Sequence, residues 1–229
     1  MQLQEYGGSI PSNCLKKYKE IKMTIGEIMV ETLKIMFTNL GDDISVDNLE
    51  FHKKDENYRA YLINMPGAIN RCLSSLEEKK VLPSKSLPLN LTDGLASGSY
   101  WRYDLNKISD FFDVERIVRV SDDGDYDGDY EWRREANMLV LANDEDATYT
   151  LIYKPRLDRI TSSDNHDLDI PDYIASYIPY FLKGELYRDD EPNEASEARN
   201  WYEQAMDELR AREAKVQETN RVKEVYSQI

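Results

Sequence analysis

The sequence predicts an α+β fold, a helical bundle body with an inserted antiparallel β lobe. Three observations predict it. Apolar residues recur every three or four positions from Ile25 to Leu76, alternate with polar ones between 87 and 160, and regain helical spacing after Pro171. Helical and strand periods put side chains on different faces, so each change of period marks a change of secondary structure. The divisions that follow are an N-terminal arm over 1–22, a helical body from 23–86 and 165–212, an inserted β lobe over 87–164 and a C-terminal tail over 213–229.

The arm carries Gly7-Gly8, Pro11 and mixed charges without sustained periodicity. The first helix opens at Thr24-Ile25-Gly26-Glu27, a capping box in which the Thr24 and Glu27 side chains satisfy each other's backbone N–H groups. Ile25, Ile28, Met29, Leu33, Met36 and Leu40 continue it, and Gly41 is its expected stop. A second stripe comprises Tyr58, Tyr61, Leu62, Met65, Ile69, Cys72, Leu73 and Leu76. It keeps its phase across Pro66-Gly67, which predicts one kinked helix or two abutting ones.

Short strands follow at 115–120, 130–134, 138–141 and 148–153, joined by Asp- and Asn-rich turns, with Asp122 to Asp129 as one turn. They predict a meander of roughly four antiparallel strands, with Phe111 and Phe112 plugging the space beneath. Pro171 fits a first helical position, and Ile174, Tyr177, Ile178, Phe181 and Leu182 form the next apolar face, with a bend at Pro179. After a turn at Arg188 to Pro192, the stripe Ala195, Ala198, Trp201, Tyr202, Ala205, Met206, Leu209 lets the last helix approach its predecessor closely. Trp201 and Phe181 are expected to be buried together with Leu62 or Leu73. Beyond Leu209 the apolar positions thin to Val216, Val222 and Val225, so the tail is expected to be frayed or held by a partner.

At 229 residues with 41% hydrophobic content, the chain can bury a substantial core. Lys+Arg of 29 against Asp+Glu of 44 gives a net charge of −15, which repels phosphate backbones and argues against a nucleic-acid-binding surface. The distant Cys14 and Cys72 argue for a reducing compartment and against a disulfide framework. The N-terminus lacks an apolar signal-peptide core, and no apolar run reaches membrane-spanning length.

The catalytic inventory is sparse. Setting Asp123 as position 1 of a calcium loop puts Asp125, Asp127 and Gly128 in place, but position 12 is Arg134 where a bidentate Glu is required. The run therefore reads as an acidic hairpin tip. His166 sits among Asp164, Asn165, Asp167 and Asp169, but His52 is far away and in no spaced ligand motif, so a solvated loop is expected. Carboxylates are too abundant for any pair to single itself out, and no phosphate loop or nucleophile elbow is present. No catalytic residue, metal or cofactor is expected. Tyrosine is the compositional anomaly, at 16 residues with 3 Trp. Tyr100, Trp101 and Tyr103 lie off every helical stripe and are interface candidates.

The layout resembles the head-to-tail adaptor, or connector, proteins of tailed bacteriophages. The resemblance rests on the first helix and the Ala68-Ile69-Asn70-Arg71 centre of the second. It includes the Asp104-Leu105 to Phe111-Phe112 stretch leading into Glu115-Arg116-Ile117-Val118, and the Thr150-Leu151-Ile152-Tyr153-Lys154-Pro155 strand. The Asp169-Ile170-Pro171-Asp172-Tyr173 helix start and the helix over 197–209 complete it. It covers about residues 23–212. The family implies a structural virion protein without enzymatic activity, assembled in the host cytoplasm and located in the neck. It forms a homo-oligomeric ring, commonly twelve-fold, beneath the portal protein, contacts neighbouring tail or neck proteins and lets DNA pass without specific binding. On that reading the tail docks on the portal, with Lys215, Arg221, Val222, Lys223, Val225 and Tyr226 as contact candidates. The tail would then be mobile in the free protein and ordered on docking. The competing readings are a carboxylate-dependent hydrolase and a host cytoplasmic interaction protein.

Overall fold

The computed structural model describes residues 22–37, 44–89, 94–97, 99–120, 126–142, 148–161 and 167–226, with backbone only for 95–97, 120, 126–129, 213 and 215–226. The chain is α+β, with a helical body and an antiparallel β lobe inserted between two of its helices. Cys14, Asp122, Asp123, Asp125 and His166 lie outside the described residues.

Helix α1 (Ile25–Met36) begins with the expected capping box: Thr24 accepts from the Glu27 N–H, and Glu27 accepts from the Thr24 N–H. It stops at Met36, a turn short of Gly41, because Phe37 adopts an extended backbone. Its ring then packs edge-on against Tyr58, Tyr61 and Tyr187. After the short α2 (Leu49–His52), α3 (Glu56–Glu78) runs unbroken through Pro66. One of the two alternatives is thus realised, a single helix. Leu62, Met65, Ile69, Cys72, Leu73 and Leu76 are all buried along it, so the packed face compensates the proline's missing N–H.

The β region is not a four-strand meander. Strands β1 (Lys85–Leu89), β2 (Leu95–Ser97), β3 (Tyr100–Asp104), β4 (Phe111–Val120), β5 (Tyr126–Asp129), β6 (Trp132–Glu135), β7 (Met138–Ala142) and β8 (Thr148–Pro155) form two sheets. Their orders are β1-β8-β4-β5 and β2-β3-β7-β6, antiparallel throughout. The expected turn over Asp122 to Asp129 therefore contains a strand at its end. Both sheets contribute to one lobe core, including Trp101, Tyr103, Ile117, Leu139, Leu141, Tyr149 and Leu151, with Phe111 packed against it.

Burial alternates along β8 until Tyr153, after which Lys154 and Pro155 are both buried as well. Lys154 turns toward the body, donating to the Leu82 carbonyl at 2.8 Å and lying 3.7 Å from Glu115. The chain rejoins the helical core at once through Leu157 and Ile160. Asn70 on α3 fastens it, donating to the Ile160 carbonyl and accepting from its N–H, both at 2.9 Å.

Pro171 is the N-cap of the short α4 (Asp172–Ala175), one position earlier than expected. Pro179 falls in the first turn of α5 (Ile178–Leu186), so the expected bend is a break between two helices. Helix α6 (Pro192–Tyr226) packs on α5, and Ala195, Ala198, Tyr202, Ala205, Met206 and Leu209 are its buried face. Gly184 makes the approach possible: a Cβ there would sit 3.2 Å from the Ala195 carbonyl oxygen. Trp201 is not buried. It is 60% exposed, whereas Tyr202 is fully buried, with its ring edge-on to Phe181 at 5.0 Å. The expected Trp201–Phe181 pair is in fact Tyr202–Phe181, one residue round the helix. The backbone of the tail over 213–226 continues α6.

Candidate functional site

The structure separates the three aromatic interface candidates. Along β3, Tyr100 is 43% exposed, while Trp101 and Tyr103 point into the lobe core at 1% and 7%. Trp101 and Tyr103 are thus core residues rather than interface residues, because a strand buries alternate side chains and both share the inner face. Tyr100 alone faces outward, with the Arg133 guanidinium over its ring at 4.7 Å. For the portal-contact candidates Lys215, Arg221, Val222, Lys223, Val225 and Tyr226, the structure gives a helical backbone, and their side chains lie outside the described residues.

A concavity lies where lobe and body meet. It is a cleft of about 300 Å³ whose wall includes Lys85, Asp110, Arg156, Asp158, Asp167 and Asp169 over a floor of Leu73, Leu157 and Ile170. A smaller cleft of about 150 Å³ adjoins it, and Lys85, Pro155, Asp169 and Ile170 line both. Each element of this junction has a local cause. Asp110 sits at the turn entering β4 and also accepts from the Arg156 N–H through its carbonyl at 2.6 Å. Asp169 is held by the pairing of residues 22–24 with 167–169, with a bridge at Thr24–Asp167 and the Leu168 N–H donating to the Met23 carbonyl at 3.3 Å.

Lys85 Nζ joins the two carboxylates, 2.7 Å from Asp110 Oδ2 and 3.4 Å from Asp169 Oδ2. Tyr153 donates to the other Asp110 oxygen at 2.9 Å, and Lys22 pairs with the other Asp169 oxygen. Burial pushes the Asp110 carboxyl up, but the hydrogen bonds from Lys85 and Tyr153 outweigh it and hold it below its ordinary value. The Lys22 hydrogen bond, against partial burial, lowers Asp169 likewise. The Asp110 hydrogen bond raises Lys85, and burial together with Asp110 lifts the Tyr153 phenol to about 12.

A general acid working near neutrality needs its carboxyl pKa raised, whereas both of these are lowered. The chemistry of this cluster is that of a charge-compensated tie across a seam. Sequence reasoning missed it because Lys22, Lys85, Asp110, Tyr153 and Asp169 come from five separate segments, and no local spacing announces them. Among the described residues no group of three or more His, Cys, Asp or Glu is placed to hold a metal, and no helix is long and apolar enough to cross a membrane.

Cys72 is buried in the body, with its thiol 3.9 Å from the Tyr202 hydroxyl. Burial pushes the thiol up to about 12 despite that hydrogen bond, which disfavours the reactive thiolate. Exposed apolar side chains are a different matter. Phe51, Ile63, Tyr173 and Trp201 are each more than half exposed, and all sit on helices of the body. Compared with known proteins, the chain matches no protein-family model and no curated sequence.

Proposed function

We propose that the protein is a structural virion component, a head-to-tail adaptor that forms a ring beneath the portal of a tailed bacteriophage and leaves a passage for DNA. The observation that carries the reading is α6. Among its described side chains the buried ones run from Ala195 to Leu209, and the helical backbone then continues to Tyr226. At about 1.5 Å per residue the remainder extends roughly 25 Å. A helix of that further length offers an arm with which to engage a second protein. In the segment past Arg212, Lys215, Arg221 and Lys223 balance Glu213, Glu218 and Glu224, so it is neutral in a chain of net charge −15 and escapes the repulsion that an acidic partner exerts on the body. The tie at the cleft, in which Lys85, Lys22 and Tyr153 already occupy both carboxylates, is in keeping with a structural role.

The test is truncation after Arg212. The shortened protein is expected to keep its thermal stability, because the buried positions described on α6, from Ala195 to Leu209, are retained, and to lose binding to the portal protein of its phage. Undiminished portal binding by the truncated form removes the docking role. Failure of the full chain to bind any portal removes the adaptor reading.

A further inference from the structure

Two helices of the body each expose one large apolar side chain among polar neighbours, and the two are oppositely directed. Ile63 on α3 is 59% exposed and Trp201 on α6 is 60% exposed. Where α3 and α6 meet, Tyr202 reaches Cys72 and donates to Ser75 at 3.2 Å, and Glu203 pairs with Lys79. Successive helical residues are turned by about 100°. Ile63 is nine positions from Cys72, so it faces about half a turn away from α6. Trp201 is two positions from Glu203, so it faces about half a turn away from α3. Each face therefore looks out on the side of the body that the other does not.

The charges beside them differ. Exposed Arg59 stands one turn before Ile63, with Glu56 a further turn back. Exposed Glu197 stands one turn before Trp201, and exposed Glu208 two turns after it. A two-fold contact would lay Glu197 and Glu208 against their own copies, whereas a head-to-tail contact brings Arg59 to the glutamates and Ile63 to the indole. Trp and Arg are also the side chains that most often dominate association energies.

We propose that these faces are the two halves of one heterologous contact, with the Ile63 face of one copy seated on the Trp201 face of the next. The proposal rests on the ring reading above and names the surface by which such a ring closes.

Ile63→Glu and Trp201→Glu each block one half. Both positions are exposed, so both variants are expected to keep the wild-type circular dichroism and melting temperature. Native mass spectrometry over a wide concentration range should show wild-type protein as a higher closed oligomer and each variant as a monomer. Ile63→Glu keeps an intact α6 face and Trp201→Glu an intact α3 face, so an equimolar mixture should pair once and stop at a heterodimer. Variants that assemble like the wild type, a mixture that does not pair, or a wild type monomeric at every concentration would each overturn the contact. Closed wild-type oligomers that ignore the portal sink the adaptor reading and leave the contact standing. Rings that survive both substitutions do the reverse.

Discussion

Arg159 holds Glu77 by both carboxylate oxygens. Nη2 lies 2.7 Å from Oε2 and Nη1 lies 3.0 Å from Oε1. The Leu157 N–H donates to the same Oε1 at 2.7 Å, and Arg159 also reaches the Ser74 hydroxyl at 3.1 Å. Glu77 is only 4% exposed, so a charge at the end of α3 fastens the segment that follows β8 back from the lobe.

Removing the cation leaves a buried carboxylate with one backbone donor. Arg159→Ala is expected to lower the unfolding free energy by about 1–3 kcal/mol, less than for a fully enclosed pair because Arg159 is itself partly exposed. Urea titration measures this. Arg188→Ala, at the exposed Arg188–Asp189 pair, is the control and should leave stability unchanged. Equal effects at the two sites would show that the strap carries no special weight.

Adjacent residues on α6 should behave oppositely. Tyr202→Ala empties a fully buried site and is expected to cost about 3–5 kcal/mol, while Trp201→Ala should cost less than about 0.5 kcal/mol in the monomer. Thermal melts of the two variants decide it, and a large loss at Trp201 would mean that α6 is rotated on α5.

How much of this was legible follows from where the determining contacts lie. The capping box at Thr24 and Glu27 is written within four residues, so the start of α1 was readable. The α3 stripe is also local, and its phase across Pro66 was the clue to a single helix. Trp201 and Tyr202 both border the stripe of small residues on α6, and spacing cannot say which of two neighbours turns inward. The packing of α5 decides it, through Phe181 and Gly184. Trp101 and Tyr103 were readable as a strand's inner face, had the two-residue period been weighed over 100–103 as it was farther along. The pairing of β1 with β8 and of β3 with β7 joins segments tens of residues apart, and nothing in either strand names its partner. The charged seam was hidden for the same reason.

The thiol of Cys72 is a natural reporter of opening. It is fully buried and its pKa is pushed up to about 12, so in the folded protein it should resist disulfide-exchange reagents. In a Cys14→Ser background, labelling should follow unfolding and accelerate in step with added urea. Rapid labelling in native buffer would show that the interface of α3 with α6 opens locally.

Acid should loosen the seam between lobe and body. Asp110 and Asp169 have folded-state pKa values below their ordinary ones. Their contribution is therefore present above the unfolded carboxylate value near ~3.9 and is lost as pH falls through the lower folded values. Asp169 is largely exposed, so its share is expected to stay below about 1 kcal/mol. Urea midpoints near pH ~6 and pH ~3 should differ less in Asp169→Asn than in the wild type. An unchanged pH dependence in that variant would dismiss the tie.

Lys85 and Tyr153 are partners in the β1–β8 ladder, so the lobe leaves the body and returns to it along a single seam. An insertion whose two ends meet asks nothing of its host beyond that doorway. The helical body can therefore carry a larger lobe, a smaller one or a simple turn at the same place without rearranging its own helices. The lobe is where such a scaffold can vary in length and outward surface while the packing of α1, α3, α5 and α6 is left as it is.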